Sequence, residues 1–366
     1  MKKRLLSALA LLLTMVMVFS LAACGQSAAP AATEAPKENT PAATTPKADA
    51  PVAEAPADPK VTLSFGSTSS AEDLITQAMQ KVADICAEKS GGSLTINIYP
   101  ASQLGDATAQ LESLSVGGQD MFIEAQASYM QTYGIADAGA VSFGVANTQE
   151  KLAKLVDSDL WAEWEQQFLN TTGIATVSHN WIRQETVICC KKPLESIADF
   201  KGVKLRTVSS ETTIAVYNSL GFSSTPIAFS EVFLSLQQGV VDATFGTKDN
   251  IYTNSFYVEA PYILMWGPSC TNLGVWVNDA KLQSLTENQR QILIDACNEA
   301  GEWYTKAAND QVAGMFDEML AAGASLTYLS EEDTAIANNT LVELGRTYEG
   351  AKFSEGIIDR ILAALE

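Results

Sequence analysis

The sequence predicts an α/β protein of two domains, each built on a doubly wound sheet. Three observations carry that reading. The 366 residues leave enough chain, after a terminal leader, for two domains of roughly 150 residues each. Strand-like and helix-like patterns alternate as β-α-β-α-β through the first part of the folded chain, the opening of a doubly wound sheet. Residues 196–243 then run strand–helix–loop–helix–strand. That order puts Arg206 at the carboxyl end of a strand, where open α/β sheets bind ligands.

Residues 1–23 read as a signal peptide. Lys2, Lys3 and Arg4 precede an apolar run from Leu5 that ends at Leu21-Ala22-Ala23-Cys24. The run is too short, and too promptly closed by small residues, for a membrane-spanning helix. Leu-Ala-Ala-Cys has the form of a bacterial lipobox, which predicts an acylated Cys24 as the first residue of the mature chain; the alternative is an ordinary secretory peptide with a chance cysteine. Residues 24–59 form a tether of Ala, Pro, Thr, Glu and Lys, in which Pro36, Pro41, Pro46, Pro51 and Pro56 recur every five residues. Such a segment has no apolar surface to bury and is expected to stay disordered or extended. Its reach is about 30 Å as a coil and about 110 Å as polyproline helix.

In the folded part, Val61, Leu63 and Phe65 alternate with Thr62 and Ser64, the period of a strand. Leu74, Ile75, Ala78, Met79, Val82, Ile85 and Cys86 share one helix face, and Gly91-Gly92 ends that helix. Residues 94–99 are the next strand, 107–116 a helix, and 121–123 a short buried strand. Residues 148–169 read as one helix bearing Leu152, Leu155, Val156, Leu160, Trp164 and Phe168. Strands are expected at 174–177 and 186–188, on either side of Arg183. In 202–208, Val203, Leu205 and Thr207 alternate against Lys204, Arg206 and Val208. Ser209 or Ser210 can cap the helix that follows, which carries Glu211 in its first turn and stops before Gly221. Residues 222–229 are a Pro-bearing loop, and Ser230-Glu231 opens a second helix that Gly239 ends. Further strands begin at 240 and at 274, the latter returning to the first domain. Leu285-Thr286 starts a long helix reaching about Met319, and residues 325–328 with a helix near 334–348 complete the second domain.

Charge and motifs exclude several classes of function. A formal charge of −20 repels nucleic acid and anionic surfaces, so no nucleic acid is expected as a partner, and membrane contact is expected through the lipid alone. Beyond Cys24 stand Cys86, Cys189, Cys190, Cys270 and Cys297, an odd set with no C-x-x-C pair, and His179 is the only histidine. No metal site and no cofactor is therefore expected. Cys189-Cys190 reads as buried small hydrophobes; a bridge from either to Cys270 stays open at this point. The chain has no G-x-S-x-G elbow, no phosphate-binding loop, no H-E-x-x-H and no dinucleotide fingerprint. A structural role is expected for His179, and Glu331-Glu332 reads as solvated. Paired carboxylates need not be near in sequence, so a secreted hydrolase stays as a rival.

Arginines are few: beyond residue 23 they are Arg183, Arg206, Arg290, Arg346 and Arg360. The last three fall among charged helical positions, whereas Arg206 and Arg183 lie at strand ends beside Val208 and Trp181. A planar guanidinium suits two-point binding of a carboxylate.

The stretch Asp199-Phe200-Lys201-Gly202-Val203-Lys204-Leu205-Arg206, followed by Leu220–Ala243, resembles the substrate-binding proteins of tripartite ATP-independent periplasmic (TRAP) transporters, a family of dicarboxylate and sialic-acid receptors. Its members carry a run like D-L-K-G-x-K-x-R there. Tyr99-Pro100-Ala101-Ser102-Gln103-Leu104-Gly105 and the helix after Leu285-Thr286 are similar too, so the resemblance covers nearly the whole chain beyond Lys60. It implies a periplasmic-binding-protein-like fold with hinge strands, a long helix spanning both domains, and a cleft whose ligand carboxylate meets Arg206 and whose wall includes Phe229. Arg183 resembles the family's second arginine, in a G-x-R run, although Trp181 replaces the glycine and the following loop is longer. Where the family has Q-E-N-P after Val-Asp-Gly, this chain has Thr244-Phe245-Gly246-Thr247, so Gly246 takes the place of a ligand-binding asparagine.

The expected boundaries are 60–180 with 272–311 for domain I and 181–271 with 312–366 for domain II. Expected substrate-binding residues are Arg206, Arg183, Phe229, Phe245, Ser67, Thr68, Glu124, Gln126 and Trp266. The reading is a monomeric, lipid-anchored extracytoplasmic receptor, with no catalytic residue, that delivers a small organic acid to a TRAP permease. Its rivals are a similar lipoprotein serving an ATP-driven (ABC) importer or a sensor, the secreted hydrolase, and a structural surface lipoprotein.

Overall fold

The structure, a computed structural model, describes residues 58–366. The signal peptide, Cys24 and the tether as far as residue 57 lie outside the described residues. The strands are β1 (Val61–Ser67), β2 (Leu94–Tyr99), β3 (Met121–Ala125), β4 (Ile174–Ile182), β5 (Thr186–Cys190) and β6 (Lys204–Thr207). They continue as β7 (Ser223–Pro226), β8 (Ala243–Thr247), β9 (Tyr262–Leu264), β10 (Asn272–Asn278) and β11 (Ser325–Thr327). One sheet has the order β2-β1-β3-β10-β4, the other β11-β9-β5-β8-β6-β7. Each combines a parallel β-α-β portion with antiparallel strands.

Local sequence explains most of these elements. Asp73 caps the helix Leu74–Lys89 by accepting from the Ile75 amide, and Ser210 caps Glu211–Ser219 through the Thr213 amide. Thr286 and Gln289 form a reciprocal capping box at the start of the helix Glu287–Ala321. Two expectations are corrected. The helix expected over 148–169 is two, Gln149–Val156 and Asp159–Thr172, because Ser158 caps the second through the Trp161 amide. The loop expected at 222–229 holds β7, which pairs only with β6. Its proline is tolerated because an edge strand does not need every N–H.

The helix Glu287–Ala321, about 52 Å long at 1.5 Å per residue, ties the two sheets together. Leu293, Ala296 and Ala300 pack with Leu63, Phe65 and Val82 of the first lobe. Met319, near its other end, packs with Val187, Cys189 and Ile263 of the second. At its start Asp58 accepts from Thr286 Oγ1 (2.8 Å) and Asn288 Nδ2 (2.6 Å), and the Pro59 carbonyl accepts from Gln289 Nε2 (2.7 Å). The last two residues assigned to the tether are therefore fastened to the body.

Two strand pairs cross between the sheets, β4 into β5 and β9 into β10. They are stitched side by side: the Arg183 amide donates to the Thr271 carbonyl (2.8 Å) and the Thr186 amide to Ser269 (3.0 Å). The same crossing is fixed to the long helix. Trp181 Nε1 donates to the Cys297 carbonyl (3.0 Å) and Gln184 Nε2 to Ala308 (2.6 Å). Gly301 permits that approach, since a Cβ there would lie 2.6 Å from Trp181 Cδ1. The chain end also departs from the expected second-domain assignment. Ile357, Ile358 and Ile361 of the helix Ile357–Ala364 join the core of Phe143, Leu155 and Trp161, covering helices of the first lobe. No signal in the sequence marked this helix, whose apolar face packs on the helices Gln149–Val156 and Asp159–Thr172.

Candidate functional site

The carboxyl ends of the parallel strands in both sheets face the crossing. In the second sheet Arg206 lies opposite Thr244, and Thr186, where β5 begins, lies opposite Thr247 at the end of β8. In the first, Ser67 ends β1 beside Ile123, and Ala125 lies opposite Leu273 just after the chain has crossed. A cleft bounded by these two edges follows from strand direction alone.

Arg206 is 3% exposed. Its Nε donates to the Ile227 carbonyl at 2.9 Å, and its guanidinium carbon lies 5.5 Å from the centroid of the Phe229 ring. Among the described residues no carboxylate is within ion-pair distance of it. Burial, with no charge to offset it, lowers its pKa from the usual guanidinium range, which leaves it a cation at neutral pH. The ring and the carbonyl fix one side of the guanidinium and leave the terminal nitrogens as a fork. Phe229 itself is 45% exposed, braced edge-on by Phe256 at 5.7 Å.

Arg183 lies in different surroundings. It lines a cavity of about 320 Å³ at the crossing, with Tyr304, Asp73, Asp249, Gln311 and Met315. Burial works to lower its pKa, but Tyr304, Asp249, Glu124 and Asp73 outweigh it and the net shift is upward. Acidic groups around this cavity thus favour the charge of Arg183 from a distance, with no carboxylate of the described residues within ion-pair distance of it. Arg206 is not among the residues lining this cavity; it is buried at the carboxyl end of β6, between β8 and β7.

On the opposite edge Ser67 Oγ accepts from the Ser69 amide (3.1 Å), and Thr68 Oγ1 donates to Glu124 Oε2 (2.9 Å). The Ala101 amide donates to the Ser69 carbonyl (2.6 Å) and that of Ser102 to Ser67 (3.0 Å). Both donors have left-handed backbone, with φ of 53° and 57°, which is uncommon for residues with a Cβ. The Tyr-Pro-Ala-Ser turn thereby braces the rim of the cleft.

Three expected residues lie elsewhere. Gln126 is fully buried; it donates to Glu165 Oε1 (2.7 Å) and accepts from Asn272 Nδ2 (2.6 Å). Trp266 is buried against Phe200, with ring centroids 6.2 Å apart. Phe245 packs on Tyr217 at 4.7 Å and sits half-buried in the core of the second lobe. Conversely, the Ile227 carbonyl, Asp249 and Tyr304 had no signal in the sequence, since one is backbone and the others arrive from distant helices.

The remaining reactive groups have structural duties. His179 Nδ1 is 3.0 Å from Glu165 and Nε2 3.5 Å from Asp157. The five described cysteines are free and buried, so the bridge to Cys270 left open above is not formed. Burial pushes Cys86, Cys189 and Cys270 up to about 12, leaving them poor nucleophiles. Among the described residues no group of three or more His, Cys, Asp or Glu is placed to hold a metal ion, and no helix is long and apolar enough to cross a membrane.

Two lobes are joined by two strand crossings and one long helix, with a buried arginine at a carboxyl edge of the second sheet. Comparison with known proteins identifies the family. The sequence profile of the bacterial extracellular solute-binding proteins, family 7, matches residues 65–350. The sialic acid-binding periplasmic protein SiaP of Vibrio cholerae is 28% identical over 268 residues, 73% of this chain and 83% of that protein. The 2,3-diketo-L-gulonate-binding periplasmic protein YiaO of Escherichia coli is 26% identical over 72% of this chain and 80% of its own length. Among solved structures, a TRAP periplasmic solute-binding protein from Ochrobactrum anthropi superposes with a TM-score of 0.78, covering 84% of this chain and 95% of its own at 23% identity. One from Sulfitobacter, with bound β-D-galacturonate, superposes at 0.69, covering 83% and 99% at 18% identity. The chain belongs to family 7 of the bacterial extracellular solute-binding proteins, and it is a receptor rather than an enzyme.

The His179 cluster yields a prediction about pH. Burial alone would lower the pKa of its imidazole, but Glu165 and Asp157 prevail and it is raised above 6.5. A raised histidine stabilises the fold fully below its unfolded value, and that contribution is lost as pH climbs through the folded value. In urea melts His179→Gln is expected to destabilise the protein clearly at about pH 5.5 and much less at about pH 9. Equal destabilisation at both would show that the imidazole is held neutral.

Proposed function

We propose that this receptor binds a small organic acid through Arg206 and delivers it to a TRAP-type membrane permease, held at the membrane by lipid on Cys24. One observation carries the reading: a buried guanidinium, oriented by the Ile227 carbonyl and the Phe229 ring, meets no carboxylate of the described chain. Such a group is costly to bury unless an anion joins it. The acids named for SiaP and YiaO and the galacturonate in the Sulfitobacter structure favour a carboxylate as that anion. Closure of the lobes about the two crossings would bring Thr68 and Glu124 toward the bound acid. Arg183, whose charge Asp249, Glu124 and Asp73 favour from around the crossing, would act mainly on the shape and field of the hinge.

In calorimetric titrations with the acid that co-purifies with the protein, Arg206→Ala is expected to weaken binding by over a hundredfold, about 3–5 kcal/mol. Arg206→Lys should recover part of this, because an ammonium cannot make two parallel bonds. Arg183→Ala should cost less than Arg206→Ala. A folded Arg206→Ala protein binding within about threefold of the parent, ~0.7 kcal/mol, would make Arg206 structural. For the anchor, mass spectrometry of the native N-terminal peptide is expected to find a diacylglyceryl Cys24; an unmodified Cys24, or cleavage elsewhere, contradicts it.

A further inference from the structure

The carboxyl edge of the second sheet carries a polar side chain that the anion site has not yet used. β6 and β8 run parallel with Arg206 opposite Thr244, so Arg206, Thr244 and Gly246 fall on one face of the sheet. Packing agrees. Gly246 pairs with Val187 across β5, and Val187 shares a buried cluster with Ile251 and Phe256, the ring that braces Phe229. Thr207 and Thr247 alternate with Arg206 and Gly246 and so belong to the opposite face. On that side Phe245 packs on Tyr217 at 4.7 Å. The buried, unpartnered hydroxyls of Thr207, Thr247 and Tyr217 are therefore on the far side of the sheet from the guanidinium.

Gly246 stands two residues beyond Thr244 toward the cleft, its Cα about 8 Å from that of Arg206 at the usual rise and strand spacing. It leaves the strand end bare, and Asn250, in the helix Lys248–Thr253, stands beside it. A Cβ built on Gly246 would lie 3.4 Å from Asn250 Cβ and 3.6 Å from Ile251 Cδ1. Ile251 is fully buried, whereas Gly246 and Asn250 are half-buried and open to solvent. The Asn250 carbonyl accepts from Asn254 Nδ2 (3.0 Å), but among the described residues its side-chain amide makes no hydrogen bond. An amide offers two donors and an acceptor without adding charge. At this place it can meet an uncharged or anionic oxygen without competing for the guanidinium.

We infer that Asn250 is a second ligand-binding residue of this site, its amide donating to another oxygen of the acid whose carboxylate sits on Arg206. The inference rests on Arg206 being the anchor proposed above. Three acids with an oxygen-bearing group beyond the carboxylate, N-acetylneuraminate, galacturonate and succinate, serve as probes in calorimetric titrations of the full-length protein, and the tightest is carried into the variants. Asn250→Ala, with an unchanged circular dichroism spectrum and urea midpoint, is expected to weaken binding at least tenfold. Asn250→Asp keeps the size but replaces the donor with a charge that repels an anion; it should weaken binding at least as much, and it stands in should the alanine variant fail to fold. Adding Gly246→Asn to Asn250→Ala returns an amide to the same edge and should recover threefold or more. A loss with no recovery would make Asn250 a structural support and overturn the inference. Asn250→Ala binding within threefold of the parent, while Arg206→Ala abolishes binding, would overturn it and leave the receptor reading intact. Binding that survives Arg206→Ala would overturn both. Failure of all three probes to bind the parent protein would overturn the inference alone, since it requires a second ligand oxygen.

Discussion

A buried arginine without an internal counter-ion is the constraint on which the cleft depends. Arg206 leaves solvent at the end of β6 and is held there by a backbone carbonyl and an aromatic face. Neither removes its charge. The carbonyl comes from Ile227, which follows the edge strand β7, so a short strand ending in Pro226 sets the direction of the fork. Phe229 opens a 3₁₀ turn and leans on Phe256, and the ring is thereby carried by a second packed element. In the function proposed above an anion would complete this site, and preorganised donors of this kind lose little on binding.

The rest of the architecture serves to bring a second surface to that point. Two crossing strands and one helix join the lobes, and all three are fastened together by Trp181, Gln184 and the close approach at Gly301. The core of Phe143, Leu155, Trp161 and the C-terminal isoleucines backs the helices outside the first sheet. The rim opposite Arg206 is stiffened by the turn at Ala101 and Ser102, whose left-handed residues are held by hydrogen bonds to Ser67 and Ser69. Strain retained beside a ligand edge is a common price of positioning.

Much of this was legible because it is local. Period-two alternation located β1 and β6, the apolar face from Leu74 to Cys86 located the first helix, Ser210 and Leu285-Thr286 located the starts of two others, and strand direction placed Arg206 at a carboxyl edge. What escaped is long-range. Gln126 follows a strand and looks like a rim residue, yet its amide is claimed by Asn272 and Glu165, far away in sequence. Trp266 and Phe245 are aromatic and near the crossing, but Phe200 and Tyr217 draw them into the core. The polar and acidic surroundings of Arg183 assemble from four separate elements, which no spacing rule registers. The break at Ser158 was missed because the apolar pattern continues across it, while one capping side chain decides where a helix starts.

Two arrangements of the bound state remain distinct: an anion on the free fork of Arg206, or an anion in the cavity beside Arg183. A crystal structure of the protein with its co-purifying ligand separates them. The ligand carboxylate is expected with both oxygens at about 2.8 Å from the terminal nitrogens of Arg206, Nε still on the Ile227 carbonyl and the ligand body against Phe229. A ligand bound in the Arg183 cavity, with Arg206 unchanged and unpaired, would contradict it.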